Sequence, residues 1–306
     1  MTFEDNKVIK FPKISIVIPV FNAISTIALC LESVQELNYP REKLEIIVVD
    51  NGSDDGSDKI AKKFGVQLFY ETSIKSSYQA RNRGVTNAGG ELIAFTDSDC
   101  IVSSDWLINL IKSWDDKSIG CFAGEILSYN PKTLVEKFSD RSGILRHKWS
   151  LDCSYMPYTT TANTAYRKEV FDRVGLFNPQ LFSGGDGDLS WRMQRETDLK
   201  IKFEPDAIVY HKHRTNIIGL YKQFKKYEYG QLLLRKLYPD LPVPTVNQRR
   251  YELLSSIYIL IRTFPGNTVK YINKDIDAVT LSSPFFSFIK QLGIYSGRLS
   301  KMNNDA

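Results

Sequence analysis

The chain has 306 residues, 42% apolar and 25% charged, with a formal net charge of +5 and four cysteines. These proportions describe a folded globular protein of one large domain or two ordinary ones, and they exclude a disordered or low-complexity chain. Cys30, Cys100, Cys121 and Cys153 form no CxxC pair, which argues against a cysteine zinc site and for free thiols in a reducing compartment.

The first residues, MTFEDNKVIKFPK, are polar and lack the apolar core of a secretory signal. No run of about 18 apolar residues occurs, so no ordinary membrane-spanning helix is expected. Charge is uneven: residues 201–306 hold 16 Lys and Arg against 8 Asp and Glu. The basic excess is modest and no nucleic-acid-binding module is recognisable, so nucleic acid is not an expected partner.

KISIVIPVF (13–21) is a β-branched apolar run and predicts a buried strand, followed by a helix over AISTIALCLESVQEL. LEIIVVD (44–50) predicts a second strand, closed by the turn NGSDDGS. SDKIAKKFG predicts a helix, VQLFY a strand, SSYQARNRGVTNA a helix and ELIAFTD a fourth strand. SSDWLINLIKSW predicts a helix capped by Ser103 or Ser104. Strands and helices alternating at this spacing give a mostly parallel α/β sheet with helices on both faces, whose ligands bind at the carboxyl ends of the strands. Asp50, Asp97 and Asp99 should therefore meet along one sheet edge.

Beyond residue 115, GCFAGEILSY predicts a strand and RHKWSLDCSYMPYTTTAN an irregular substrate loop. RKEVFDRVG is a short helix, and LFSGGDGDLSWRMQRET a glycine-rich turn entering another. KIKFEPDAIVYHKHR predicts two short strands around Pro205. NIIGLYKQFKKYEYGQLLLRKLY is a long helix, LYPDLPVPTV a proline-rich linker, and two apolar, lightly basic segments follow.

FTDSDC (95–100) ends an apolar strand on two aspartates. Like charges so close repel unless a cation neutralises them. Mg2+ and Mn2+ use one or two carboxylates together with substrate phosphate oxygens. Asp99 is the expected direct ligand, and Asp97 would reach a ribose hydroxyl or a metal-bound water. Asp50 ends a neighbouring strand, where its carboxylate would accept the N–H of a base. Asp54 and Asp55 are expected to cap the next helix.

IVIPVFN, VVDNGSDDGS and ARNRGVTNAGGELIAFTDSDC, in this order and spacing, resemble the donor half of glycosyltransferase family 2, whose members have a GT-A-type nucleotide-sugar-binding fold. The resemblance covers about residues 13–214. It implies a GT-A-type catalytic domain over 1–214, with a donor half of about 13–115 and an acceptor half of about 116–214, and a helical region over 215–306. Pro19, Phe21 and Asp50 would line the base pocket, Arg81 would contact base or diphosphate, and Asp97 and Asp99 would form the DxD pair. Asn51 stands where the family often has a second aspartate. FSGGDGDLSWRM resembles the family's E-D-x-D-L-x-x-R with Gly185 in place of the glutamate.

The resemblance implies an inverting transfer, in which a base deprotonates the acceptor hydroxyl and a cation steadies the leaving group. Asp186 is the expected base. Asp188 and Trp191 would contact acceptor, Trp191 by stacking on a sugar ring. His211 would be the further metal ligand, with His213 as its rival. Imidazole suits Mn2+ better than Mg2+.

The expected substrates are a nucleotide diphosphate sugar, UDP-linked first, and a glycan or lipid-linked acceptor in cell-envelope or extracellular polysaccharide synthesis. The Q-x-x-R-W motif of processive synthases is missing, so a single transfer is expected. The enzyme would be cytoplasmic or peripheral at the inner membrane face, with YELLSSIYILIRTF and SPFFSFIKQLGIYSGRL in the membrane interface and Lys222, Lys225, Lys226, Arg235 and Lys236 toward anionic headgroups. Two other readings exist. One is a sugar-nucleotide- or glycan-binding module without catalysis, suggested by Gly185. The other is a Mg2+-dependent phosphatase resembling the haloacid dehalogenase type, with Asp97 and Asp99 in its nucleophile loop.

Overall fold

A computed structural model describes residues 11–302, so most of the polar N-terminal stretch lies outside the described residues. Eight strands form one sheet. They are β1 (Ile14–Val20), β2 (Leu44–Asp50), β3 (Gln67–Tyr70), β4 (Leu92–Phe95), β5 (Cys100–Val102), β6 (Ile119–Ser128), β7 (Thr164–Arg167) and β8 (Lys200–His211). Their spatial order is β3-β2-β1-β4-β7-β6-β8-β5. The first four are mutually parallel. β7 runs antiparallel between β4 and β6, β8 is parallel to β6, and β5 closes the edge antiparallel to β8.

The helices are α1 (Ile27–Gln35), α2 (Ser57–Lys63), α3 (Ser77–Asn87), α4 (Trp106–Leu110), α5 (Leu134–Arg141), α6 (His147–Leu151), α7 (Lys168–Val174), α8 (Gly185–Glu196), α9 (Ile217–Leu237), α10 (Val246–Ile272) and α11 (Ala278–Met302). β1 is buried at every position because both sheet faces are covered, and this is why its sequence is apolar without alternation. Alternate side chains feed two cores: Ile14, Ile16 and Ile18 pack on one face, and Val17 with Ile47 and Val49 on the other.

Three sequence expectations change. Ser103 and Ser104 do not cap α4: the Ser103 amide bonds Ile208 O at 3.1 Å, which prolongs the β5–β8 pairing, and Asp105 takes the cap position. The two strands expected around Pro205 are one strand, β8, whose register with β6 shifts between Gly124 and Glu125. That irregularity accommodates a proline with no N–H to donate. The proline-rich linker is a docked strap: Tyr238, Leu241 and Val243 are buried, and Arg235 Nη1 donates to Val243 O at 2.9 Å.

At the register shift the backbones nearly touch. A Cβ on Gly124 would lie 2.0 Å from Ala207 O and 2.5 Å from Asn163 Nδ2. Asn163 is also tied to Trp106 Nε1 at 2.7 Å. Gly124→Ala must push backbone as well as side chain, and the expected loss of stability is about 3 kcal/mol, measured by urea denaturation.

The C-terminal helices are anchored to the sheet domain. Leu220 and Phe224 of α9 pack with Val135 and Phe138 of α5 and Phe286, Ile289 and Ile294 of α11. Gly293 and Gly297 bring α11 against α9: a Cβ on either would sit 2.6 Å from Tyr221 O or Lys225 O. Buried Glu228 of α9 receives Arg249 of α10 at 2.8 Å and Arg298 of α11 at 2.5 Å.

Candidate active site

β4 delivers the acidic corner. Beyond Phe95 the chain turns through Asp97 and Asp99 before β5 begins. Arg81 of α3 meets Asp97 Oδ1 at 2.5 Å and is itself buried, with an Nε that has no partner. Cys100 pairs directly with His211 across β5 and β8, so His211 comes beside Asp99, with Nε2 to Oδ1 at 3.5 Å. Asp99, Cys100 and His211 each offer a ligand atom within 4.8 Å of the others. His211 Nδ1 is buried without a partner. Its rival is committed elsewhere: His213 Nε2 lies 2.7 Å from Ser128 Oγ. Burial, then the neighbouring His211, holds the His213 pKa down at about 4. The donor set of carboxylate and imidazole suits a divalent metal ion.

The acidic corner opens into a cavity of about 630 Å³ that includes Arg81, Asp97, Asp99, Asp186 and His211. Pro19, Phe21 and Asp50 lie outside this cavity, at the carboxyl ends of β1 and β2. Only β1 separates Asp50 from the DxD strand, a gap of about 10 Å by strand spacing. Asp50 is buried. Its Oδ1 accepts from Gly52 N and Ser53 N, both at 2.9 Å, and its Oδ2 has no partner. Phe21 is exposed and Pro19 buried. Asp55 accepts from the Ser57 amide at 3.0 Å and from Ile24 N at 2.9 Å, stapling the two loops together.

Asp186 stands in the first turn of α8, half-buried in the cavity wall. Thr161 Oγ1 donates to its Oδ1 at 3.1 Å. Burial raises its pKa above the ordinary carboxylate value. Arg81 opposes that shift, and the Asp97 charge adds to it. The family-like glutamate at position 185 has no room here, because a Cβ on Gly185 would lie 2.8 Å from the Tyr78 ring. Tyr78 precedes Arg81 by one helical turn on α3 and fills that space.

The two residues expected to contact acceptor are both held by bonds within the protein. Asp188 is buried. Its Oδ2 accepts from Arg192 Nη2 at 2.9 Å and its Oδ1 from the Tyr238 hydroxyl at 2.8 Å. It braces α8 against the strap after α9. Trp191 borders the cavity but is 2% exposed, donates Nε1 to Met156 O at 3.1 Å, and is boxed edge-to-face by Tyr155, Tyr158 and Tyr238. Trp149, 66% exposed, is the tryptophan at the cavity with an open ring. Lys222 and Lys226, with Arg214, line the same cavity. α9 is held there by Gly230, where a Cβ would meet Ser183 at 2.6 Å.

His147 fixes the loop that carries Thr161. Its Nε2 accepts from Thr160 N at 2.7 Å and its Nδ1 faces Gly124 O at 2.5 Å. Both bonds need the neutral ring, and burial lowers its pKa from 6.5 to about 4. The unfolded chain takes up this proton near pH 6.5 while the folded state refuses it until about pH 4. Stability is therefore lost as pH falls through that window, by about 2 kcal/mol at pH 5. Urea denaturation at pH 7.5 and 5 measures this, and His147→Gln is expected to remove its share of the dependence and leave that of His213, whose pKa is held down likewise.

A family model described as "Glycosyl transferase family 2" matches residues 15–175. Glycosyltransferase AglE of Haloferax volcanii is 33% identical over 223 residues, covering 70% of this chain and 71% of AglE. The pre-mycofactocin glycosyltransferase of Mycobacterium tuberculosis is 27% identical over 241 residues, covering 76% of this chain and 50% of that relative. The structure of the mannosyltransferase PcManGT from Pyrobaculum calidifontis, in complex with GDP-Man and Mn2+, superposes with a TM-score of 0.61 at 17% identity, covering 92% of this chain and 87% of that one. Membership of this family sets aside the phosphatase reading. The chain belongs to glycosyl transferase family 2 and is a glycosyltransferase with a GT-A fold.

Proposed function

We propose that the enzyme moves one sugar, with inversion, from a nucleotide diphosphate sugar to a hydroxyl of a glycan or lipid-linked acceptor. The observation that carries this is two unsatisfied buried atoms, Asp50 Oδ2 and Arg81 Nε, together with a His211 Nε2 that faces Asp99 Oδ1 at 3.5 Å. Each unsatisfied atom costs about 1–3 kcal/mol unless something binds it. The three belong to the residues that the sequence motifs assign to base, diphosphate and ion.

In this reading Asp50 Oδ2 accepts an N–H of the nucleobase, uracil first. Arg81 releases part of its hold on Asp97 to meet the diphosphate. Asp99 and His211 would hold Mn2+ or Mg2+, and the ion would supply positive charge for the leaving diphosphate. The likeness to a fold solved with GDP-Man and Mn2+ supports this choice of ion. Arg214, Lys222 and Lys226 add positive potential from the opposite wall. Asp186 takes the acceptor proton as its oxygen bonds to the anomeric carbon, and the bond from that carbon to the phosphate oxygen breaks with its electrons on the phosphate. Thr161 fixes the Asp186 carboxylate, and the raised pKa makes it a stronger base. Trp149 offers its ring face to an acceptor sugar. The buried thiols of Cys30, Cys100 and Cys121 suit a reducing, cytoplasmic setting.

The test is a release assay with UDP-, GDP- and dTDP-sugars, with and without Mn2+. Ion-dependent release of nucleoside diphosphate from one of them supports the reading, and release from none with any divalent ion contradicts it.

A further inference from the structure

Beyond its first turn α10 carries an apolar line that no described residue covers. Tyr251, Leu254, Tyr258, Ile261, Val269 and Ile272 are each 54–73% exposed. At 100° per residue they fall within about 80° of arc. Ser256, which is buried, and Leu260, which is half-buried, lie on the opposite side, and there the helix packs on α11. The line runs for about 33 Å at 1.5 Å per residue. Scattered exposed apolar residues are ordinary, whereas a line of this length, interrupted around Pro265 between Ile261 and Val269, marks an interaction surface.

Charge selects the partner. No aspartate or glutamate occurs from Leu253 to Lys274, while Arg262, Lys270 and Lys274 do. By the same angular count Arg250 and Arg262 flank the two edges of the stripe, and both are exposed. Two copies pairing through the stripe would set arginine against arginine, which disfavours self-association. No helix among the described residues is long and apolar enough to cross a membrane. Two tyrosines, apolar rings with polar tips, suit the zone between water and acyl chains.

We propose that α10 lies flat in the interface of a bilayer bearing anionic headgroups, its stripe among the upper acyl chains and Arg250 and Arg262 at the phosphates. This replaces the lysines of α9 as the headgroup contacts. A lipid-linked acceptor would make such docking useful, but the inference rests on α10 alone.

The experiment is co-sedimentation of the full chain with phosphatidylcholine vesicles, with and without phosphatidylglycerol, at low and high salt. Expected is binding that needs the anionic lipid and weakens with salt. Ile261→Asp combined with Tyr258→Ser should lower vesicle affinity about tenfold or more, with the melting temperature and the nucleotide response in solution unchanged. Arg250→Glu with Arg262→Glu, a surface change with no packing loss, should remove the preference for anionic vesicles. Failure of the wild type to bind anionic vesicles would overturn the proposal. So would binding indifferent to both double variants, or a dimer in solution that the Ile261 variant splits. None of these results bears on the release assay, which is run without lipid.

Discussion

Asp186→Asn is expected to lower turnover by about 10²–10⁴-fold while leaving nucleoside diphosphate binding intact. Asparagine has nearly the same shape and still accepts the Thr161 hydroxyl that now reaches Oδ1 at 3.1 Å, so the α8 turn should hold. What it lacks is a site for the acceptor proton. Burial raises the Asp186 pKa, with Arg81 pulling the other way. The wild-type rate should therefore fall on the acid side below a pKa above the usual carboxylate value, because the protonated acid is no base. The variant should lose that acid limb. Asp188→Asn is the contrasting change. Its carboxylate faces Arg192 and Tyr238 rather than the cavity, so it should cost stability first and act on rate only through the fold. Steady-state kinetics across pH, with melting temperatures of both variants, separate the two aspartates.

Asp99→Ala is expected to abolish the coupling between divalent ion and nucleotide. For the wild type, a nucleoside diphosphate with Mn2+ at about 100 times its dissociation constant should raise stability by about 2.7 kcal/mol, seen as a higher melting temperature. Asp99 supplies the carboxylate beside His211 Nε2. Without it the ion has one protein ligand, and the Mn2+-dependent part of the shift should vanish. A smaller shift from nucleotide alone should survive, because Asp50 lies two strands away and keeps its free Oδ2. His211→Ala should act in the same direction, and His213→Ala should not, because His213 is spent on Ser128. Equal effects of the two histidine changes would contradict this division.

The strand ends that build the donor side were legible because burial leaves a direct trace in sequence. β1, β2 and β4 are continuous apolar runs that stop at polar residues, and the stops are the site. β7 left no such trace: TAYR is four residues inside a polar stretch, and its antiparallel place between β4 and β6 depends on partners far away in the chain. Spacing placed Asp188 and Trp191 on the right helix, but not their direction. A helix start offers cap, core and cavity within one turn, and only tertiary packing distinguishes them. Tyr78 was findable in principle, since it lies three residues before Arg81 on a helix and so shares its face. That it fills the space of a side chain at position 185 is a contact across more than a hundred residues, and no local pattern encodes it. The wall formed by Lys222 and Lys226 was not legible for the same reason. Basic residues on an amphipathic helix look alike whether they face lipid, water or a substrate.

The central claim is that Asp99 and His211 hold one divalent ion at the mouth of a nucleotide site. A crystal grown with Mn2+ and a nucleoside diphosphate, measured at the manganese absorption edge, tests it most directly. One anomalous peak between the Asp99 carboxylate and the His211 ring, with phosphate oxygens completing its shell, is the predicted result. A nucleotide bound with no peak there, or with the ion held by Asp186 instead, would contradict it.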